Sequence, residues 1–159
     1  MRGAQSSLPP RYLCLAAAFF DSYVFDFLIR SKITNHLNMF YVFQMPVPRL
    51  TEKDPPFAPI VERAARLICT TPEFDALAKQ VGLKSHKDGA TDPAQRAKLR
   101  AELDALIAHL YGLTEQEFAH ILSTFPLVPH ETKDAALVEF RKISNRNRPS
   151  RPPVDKSTG

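Results

Sequence analysis

The chain has 159 residues, of which 44% are hydrophobic and 24% charged, so it can form one globular domain with a buried core. Its net charge is +4, but the last 16 residues, with four basic and one acidic side chain, contribute +3 of it. The part expected to fold is therefore close to neutral, so the overall charge is weak evidence that this part binds nucleic acid.

The first apolar segment follows a polar lead, residues 1–10, that we expect to be disordered. Apolar side chains then recur at helical spacing and predict one helix from Tyr12 to Ser31. Because this helix is hydrophobic on nearly all sides, we expect it to be central and buried on more than one face. We do not expect it to cross a membrane, since Asp21 and Asp26 would each cost about 2.5–3.5 kcal/mol at a bilayer centre.

A polar turn and a short strand are predicted after this helix. The turn runs from Thr34 to Asn38, and the aromatic run that follows predicts a strand from Phe40 to Gln44. Pro46 and Pro48 end the strand, because proline cannot donate to a sheet ladder. The stretch from Arg30 to Arg49 thus connects the first helix to the rest of the chain.

Five more helices are predicted downstream. They are Ile60 to Thr70, Glu73 to Val81, the two helices of a hairpin between Pro93 and Thr124, and Glu131 to Ile143. The hairpin has the strongest local signals: Asp92 as an N-cap, Gly112 as a left-handed C-cap, and Thr114 with Glu117 as a capping box. The polar loop from Gly82 to Asp92 is expected to be flexible.

The predicted elements make a mainly α fold with one short β element. One module covers residues 11–143, with a helix–turn–strand at 11–50, helices at 60–81, the hairpin at 92–125 and a final helix at 131–143. Residues 144–159 form an Arg- and Pro-rich basic tail that we expect to be disordered. The buried stripe predicted for the first hairpin helix consists of Leu99, Leu103, Leu106, Ile107 and Leu110.

No residue pattern typical of a catalytic or metal site is found in the sequence. The five glycines are scattered, so there is no glycine-rich phosphate or cofactor loop and no cofactor is expected. Cys14 and Cys69 have no partner at metal-ligand spacing, and we expect both to be reduced and buried in a cytoplasmic protein. His109 and His120 flank the hairpin turn without a carboxylate at fixed spacing, so we expect them to be surface positions.

The two acidic residues of the first helix are better explained by a local ion pair than by catalysis. Asp21 and Asp26 lie about 140° apart around a helix, so they do not form a paired-carboxylate site. Asp26 lies four residues before Arg30, which is the favourable order for a helix salt bridge. We therefore expect an Asp26–Arg30 ion pair.

The polar turn and its flanks are the best candidate for a functional surface. The candidate DNA-contacting residues are Arg30, Lys32, Asn35, His36, Asn38 and Arg49. Asn can bond adenine bidentately, and Arg or Lys can hold phosphates or guanine. The alternative is an ordinary structural turn, because Asn and Thr side chains satisfy neighbouring backbone groups. The residues alone favour this alternative.

Two blocks of sequence carry the pattern of one protein family. In the first, Leu13 to Pro48, the matching residues are Phe25-Asp26, Arg30, His36-Leu37-Asn38, Phe40 and Met45-Pro46-Val47-Pro48. In the second, Arg96 to Val128, they are the runs LRAELDA, LYGL and ILSTFP. The two blocks resemble the C-terminal target-recognition and helical region of adenine-N6 DNA methyltransferases from single-chain type II restriction–modification and related phage-defence systems.

The resemblance implies a region that helps to hold double-stranded DNA and to choose its sequence. The family's Asn-Pro-Pro-Tyr type motif and its S-adenosylmethionine loop do not occur in this chain, so no catalytic residue carries over. We therefore predict a noncatalytic recognition module that works with a methyltransferase core encoded upstream. The alternatives are a small helical protein–protein interaction module and a gene remnant with no independent function.

Overall fold

The computed structural model describes residues 8–32 and 44–146, and these ranges form a mainly α-helical fold, as predicted. The helices are α1 (Pro10–Phe20), α2 (Tyr23–Lys32), α3 (Phe57–Ile68), α4 (Asp75–Gln80), α5 (Pro93–Leu110), α6 (Glu115–Ser123) and α7 (His130–Arg146). Short 3₁₀ turns, Pro72–Phe74 and His86–Asp88, precede and follow α4. The described ranges contain no strand. The predicted turn and strand lie outside them, apart from Gln44, which is in a turn.

The predicted single helix from Tyr12 to Ser31 is instead two helices, α1 and α2, that meet at 65°. Ser22 separates them, because its hydroxyl donates to the Phe19 carbonyl at 2.8 Å and accepts from the Phe25 amide at 3.2 Å. The same side chain thus closes α1 and caps α2. None of the described helices is alone long and apolar enough to cross a membrane, and α1 and α2 meet those criteria only as a bent pair.

Helix α5 lies at the centre of the packing. Its most extensive contact is with α7, and it also packs on α3 and α2. Helix α1 packs on α3, whereas α6 packs on α7 and α2. The largest fully buried side chains are Phe19, Phe57, Phe118, Ile60, Ile107 and Leu122. Each such side chain contributes about 1.5–3 kcal/mol by burial, so one shared apolar core holds these helices together.

The buried face of α5 differs from the predicted leucine stripe. Three of the five predicted positions are buried, but Leu106 and Leu110 are only half-buried. The other buried positions are Ala101, Asp104, Ala105 and Ala108. Small side chains let neighbouring helices approach closely, which suits a helix that packs on α3, α2 and α7 at once. The hydrophobic pattern missed this face because alanine is a weak apolar signal.

The capping signals around the hairpin are confirmed. Asp92 accepts a hydrogen bond from the Gln95 amide at 2.9 Å and so caps α5. Thr114 and Glu117 form a capping box at the start of α6. Gly112 has φ = 68°, in the left-handed region that favours glycine. These caps set the direction in which α6 leaves α5.

The loop from Gly82 to Asp92 is anchored, in contrast to the flexibility predicted from its composition. The Asp75 carboxylate accepts the His86 backbone N–H at 2.7 Å and lies 2.8 Å from Nδ1 of the same ring. Gly89 passes so close to α3 that a Cβ there would lie 2.0 Å from the Cys69 carbonyl oxygen. The loop is therefore held at both α4 and the end of α3.

Candidate nucleic-acid interface

The C-terminal turn of α2 carries two of the predicted DNA-contacting residues, Arg30 and Lys32, and both are exposed. The predicted Asp26–Arg30 ion pair is confirmed: Nη2 of Arg30 lies 2.7 Å from Oδ2 of Asp26, and its Nε lies 2.9 Å from Oδ1. The guanidinium carbon lies 4.9 Å from the centre of the Phe125 ring. Arg30 is thus oriented within the chain, while its side chain stays 62% exposed.

The other predicted contacts lie at or after the C-terminal end of α2. Lys32 is the last residue of α2, and Arg49 follows Pro46 in a non-helical stretch where it is exposed. Neither makes a salt bridge with another residue of the described ranges. The three predicted base contacts lie outside the described residues: Asn35, His36 and Asn38. Exposed basic side chains therefore lie before and after the segment that contains Asn35, His36 and Asn38.

The two histidines near the hairpin turn have separate surroundings. The His109 ring stacks on Phe140 with 3.9 Å between ring centres, and its Nε2 lies 3.0 Å from the Phe140 carbonyl oxygen. His120 is exposed and contacts Phe27 edge-on at 6.3 Å. The prediction of a surface position is confirmed for His120 and is wrong for His109, which is half-buried between α5 and α7.

Both cysteines are buried free thiols, as predicted. Burial raises the pKa of the Cys14 thiol to about 11, with a further contribution from Cys69, and burial also raises the pKa of Cys69. The thiolate is the reactive form of cysteine, so these pKa values make both side chains poor nucleophiles. They contribute to packing, and neither is a candidate for covalent chemistry.

A buried acid that no sequence pattern indicated lies at the junction of α1 and α2. Asp104 of α5 is only 8% exposed, and its Oδ1 accepts the backbone N–H of Tyr23 at 3.0 Å. Burial raises the pKa of this carboxyl to about 7; the Tyr23 N–H lowers it, Asp21 raises it and Arg100 lowers it. The available signal was an acidic residue between Leu103 and Ala105, inside the buried part of α5.

In residues 8–32 and 44–146 no group of three or more His, Cys, Asp or Glu side chains is placed to hold a metal ion. Comparisons of the chain with known protein families, with curated proteins and with solved structures find no match. The helices described above establish the fold class, and the likeness to adenine-N6 DNA methyltransferases stays a prediction from the two sequence blocks.

Proposed function

We propose that this chain is a noncatalytic module that contributes to the recognition of double-stranded DNA, as in the C-terminal region of adenine-N6 DNA methyltransferases. The observation that supports the proposal best is the exposed positive charge on both sides of residues 33–43. Arg30 and Lys32 stand at the surface before this segment, and Arg49 stands at the surface after it. The chain would act in the cytoplasm with a methyltransferase core that supplies S-adenosylmethionine binding and catalysis.

The structure supports different roles for the three basic residues. Lys32 and Arg49 are the primary phosphate contacts in this proposal, because both are exposed and make no salt bridge within the described ranges. Two guanidinium nitrogens of Arg30 already lie 2.7 and 2.9 Å from the Asp26 carboxylate oxygens. Arg30 would therefore have to contact Asp26 and a phosphate at the same time. Arg30 therefore acts mainly by orienting the end of α2.

The near-neutral folded part implies modest affinity for the isolated chain. Each neutralised phosphate contributes about −0.9 to the slope of the logarithm of the association constant against the logarithm of salt concentration. Two or three contacts therefore give a slope of about −2 to −3, well below the slopes of strongly basic DNA-binding domains. Base contacts from Asn35, His36 and Asn38 would add selectivity rather than most of the affinity.

Fluorescence anisotropy with a labelled DNA duplex of mixed sequence tests the proposal. The wild type should bind at micromolar concentration in about 50 mM salt and lose affinity steeply towards about 200 mM. The Lys32→Ala/Arg49→Ala variant should bind more weakly. The magnitude of its salt-dependence slope should be smaller by about 2. The matched control is Lys79→Ala/Lys98→Ala, which removes the same charge from exposed positions on α4 and α5. An equal loss of DNA affinity in both variants would show that the chain attracts DNA only through nonspecific charge.

A second candidate function, docking onto a partner protein, is favoured by an apolar stripe on α1. Leu13 and Phe20 are 51% and 55% exposed, although both are large apolar side chains. They lie seven residues apart and hence on one face of the helix. Contiguous exposed apolar patches mark protein interaction sites, and this candidate takes the two side chains as the anchors of such a patch. The partner in this proposal is the methyltransferase core.

This second candidate is tested with the product of the upstream reading frame, if that frame carries an Asn-Pro-Pro-Tyr type motif. The two purified proteins should form a complex in sedimentation velocity, and Leu13→Ser/Phe20→Ser should abolish it. The control is Leu127→Ser, since Leu127 is also exposed but lies outside α1. A complex that survives the α1 substitutions would exclude this stripe as the interface.

A further inference from the structure

A cavity of about 300 Å³ lies at the junction of α1 and α2, where α5 and α7 also meet. Its polar lining consists of Asp21, Ser22, Tyr23, Arg100, Asp104 and Thr132. A volume of this size is at the lower end of the range for small-molecule sites. Of the proposed DNA-contacting residues, Arg30, Lys32 and Arg49 do not line the cavity.

Asp104 is the buried anchor of this cavity. More than nine-tenths of the residue is buried, and its Oδ1 accepts the Tyr23 N–H. Within the described residues no hydrogen bond reaches Oδ2. Asp104 is one of the residues that line the cavity. An ionised carboxylate offers about four acceptor sites, and the protein fills one of them here.

The rest of the lining adds further polar groups to the cavity. Asp21 brings a second carboxylate and Thr132 a hydroxyl, and both residues are exposed. Arg100 is exposed and makes no hydrogen bond to Asp104, although its charge favours the ionised form. With both carboxylates ionised, the two acids and one guanidinium leave one net negative charge in the cavity.

We propose that this cavity binds a primary ammonium group, with Oδ2 of Asp104 as its buried partner. An ammonium has three N–H donors, and Asp104, Asp21 and Thr132 offer three acceptors in the lining. A guanidinium fits less well, because it favours bidentate contact with a carboxylate and Oδ1 is already occupied by the Tyr23 N–H. A divalent metal fits less well too, since Ca²⁺ takes six to eight oxygen ligands.

The Tyr23 backbone amide is a direct reporter, since its N–H donates to Asp104. The full chain is labelled with ¹⁵N and titrated at pH 8 with methylammonium chloride, in parallel with sodium chloride at equal ionic strength. We expect a saturable shift of the Tyr23 amide with methylammonium alone. Binding should weaken at pH 6, because the pKa of Asp104 is about 7 and its neutral form attracts a cation poorly. Identical shifts with both salts would overturn the proposal.

The Asp104→Asn variant identifies the anchor. Asn keeps an oxygen for the Tyr23 N–H but loses the charge, so methylammonium should bind about 10- to 100-fold more weakly. Circular dichroism and thermal melting would verify that the variant is folded. Asp134→Asn removes an exposed carboxylate of α7 that does not line the cavity, and it should bind as the wild type does. Unchanged affinity in Asp104→Asn would overturn the proposal.

The ammonium group has two natural sources, a free small amine or a lysine side chain of a partner protein. Nα-acetyl-lysine amide, titrated in the same way, distinguishes them. Binding at least as tight as that of methylammonium assigns the cavity to a protein lysine, whereas binding of methylammonium alone assigns it to a free amine. This site does not depend on DNA binding, so the two proposals succeed or fail separately.

Discussion

The two ends of α2 place polar side chains in opposite surroundings. At the N-terminal end, Ser22 and Asp104 are buried and each accepts a hydrogen bond from a backbone N–H of the helix. At the C-terminal end, Arg30 and Lys32 are exposed. Buried polar groups affect stability strongly, because a missing partner leaves an unsatisfied group in a low dielectric. Exposed charges affect stability little and remain available to a partner.

The largest expected effect on stability is that of Asp104→Asn, and its sign depends on pH. The pKa of Asp104 is raised from 3.8 to about 7 in the folded protein, so the folded state holds a proton that the unfolded chain releases. The contribution of this residue to stability is therefore fully present below about pH 4, is lost as the pH rises to about 7, and then stays constant. Asn is neutral at every pH and keeps the acceptor for Tyr23. The variant should be more stable than the wild type at pH 8, by up to about 4 kcal/mol, and nearly equal at about pH 4.

Urea denaturation at these two pH values measures the difference. Asp134→Asn is the control, because this carboxylate is exposed and should change the free energy of unfolding by less than about 0.5 kcal/mol. An Asp104→Asn variant less stable than the wild type at pH 8 would show that the ionised carboxylate stabilises the junction.

A smaller effect is expected from Ser22→Ala. This change removes the cap of α2 and leaves the Phe25 amide without its hydroxyl acceptor, at a buried position. Loss of an N-cap costs about 1–2 kcal/mol of unfolding free energy. Ser31→Ala is the matched control on the same helix, since the Ser31 hydroxyl donates to the Leu28 carbonyl at an exposed position. Equal free energies of unfolding for both variants would contradict the distinction between the two ends.

The smallest effects are expected at the exposed end. Arg30→Ala removes one exposed ion pair and the contact with Phe125, so it should cost at most about 1 kcal/mol. Lys32→Ala should stay within about 0.5 kcal/mol of the wild type. Thermal melting measures both. A loss of several kcal/mol in either variant would make these residues structural and weaken their assignment to DNA contact.

Local sequence signals predicted part of this fold well. Asp92, Gly112 and the Thr114–Glu117 box determine helix ends through contacts within a few residues, so they are readable without tertiary structure. The break between α1 and α2 at Ser22 was not predicted. The junction of α1 and α2 also depends on Asp104, which lies 81 residues after Tyr23 and accepts the backbone N–H of that residue, the first of α2. No local pattern contains that contact.

The candidate interface, too, was predictable only where its contacts join residues that are close in the sequence. Position at a helix end predicts that Lys32 is exposed, and the Asp26–Arg30 spacing predicts their ion pair. The stacking of Arg30 on Phe125 joins α2 to the end of α6 and follows only from the packing. Likewise, the burial of Asp104 follows from the packing of α5 at the junction of α1 and α2, where its Oδ1 accepts the Tyr23 N–H.

The salt dependence of DNA binding by the intact chain tests the central claim most directly. Anisotropy titrations of the wild type from about 50 to 200 mM salt should give a slope of about −2 to −3, and Lys32→Ala/Arg49→Ala should reduce its magnitude by about 2 while Lys79→Ala/Lys98→Ala leaves it unchanged. No binding of duplex DNA by the wild type at micromolar protein in the lowest salt would contradict a DNA-recognition role for this chain.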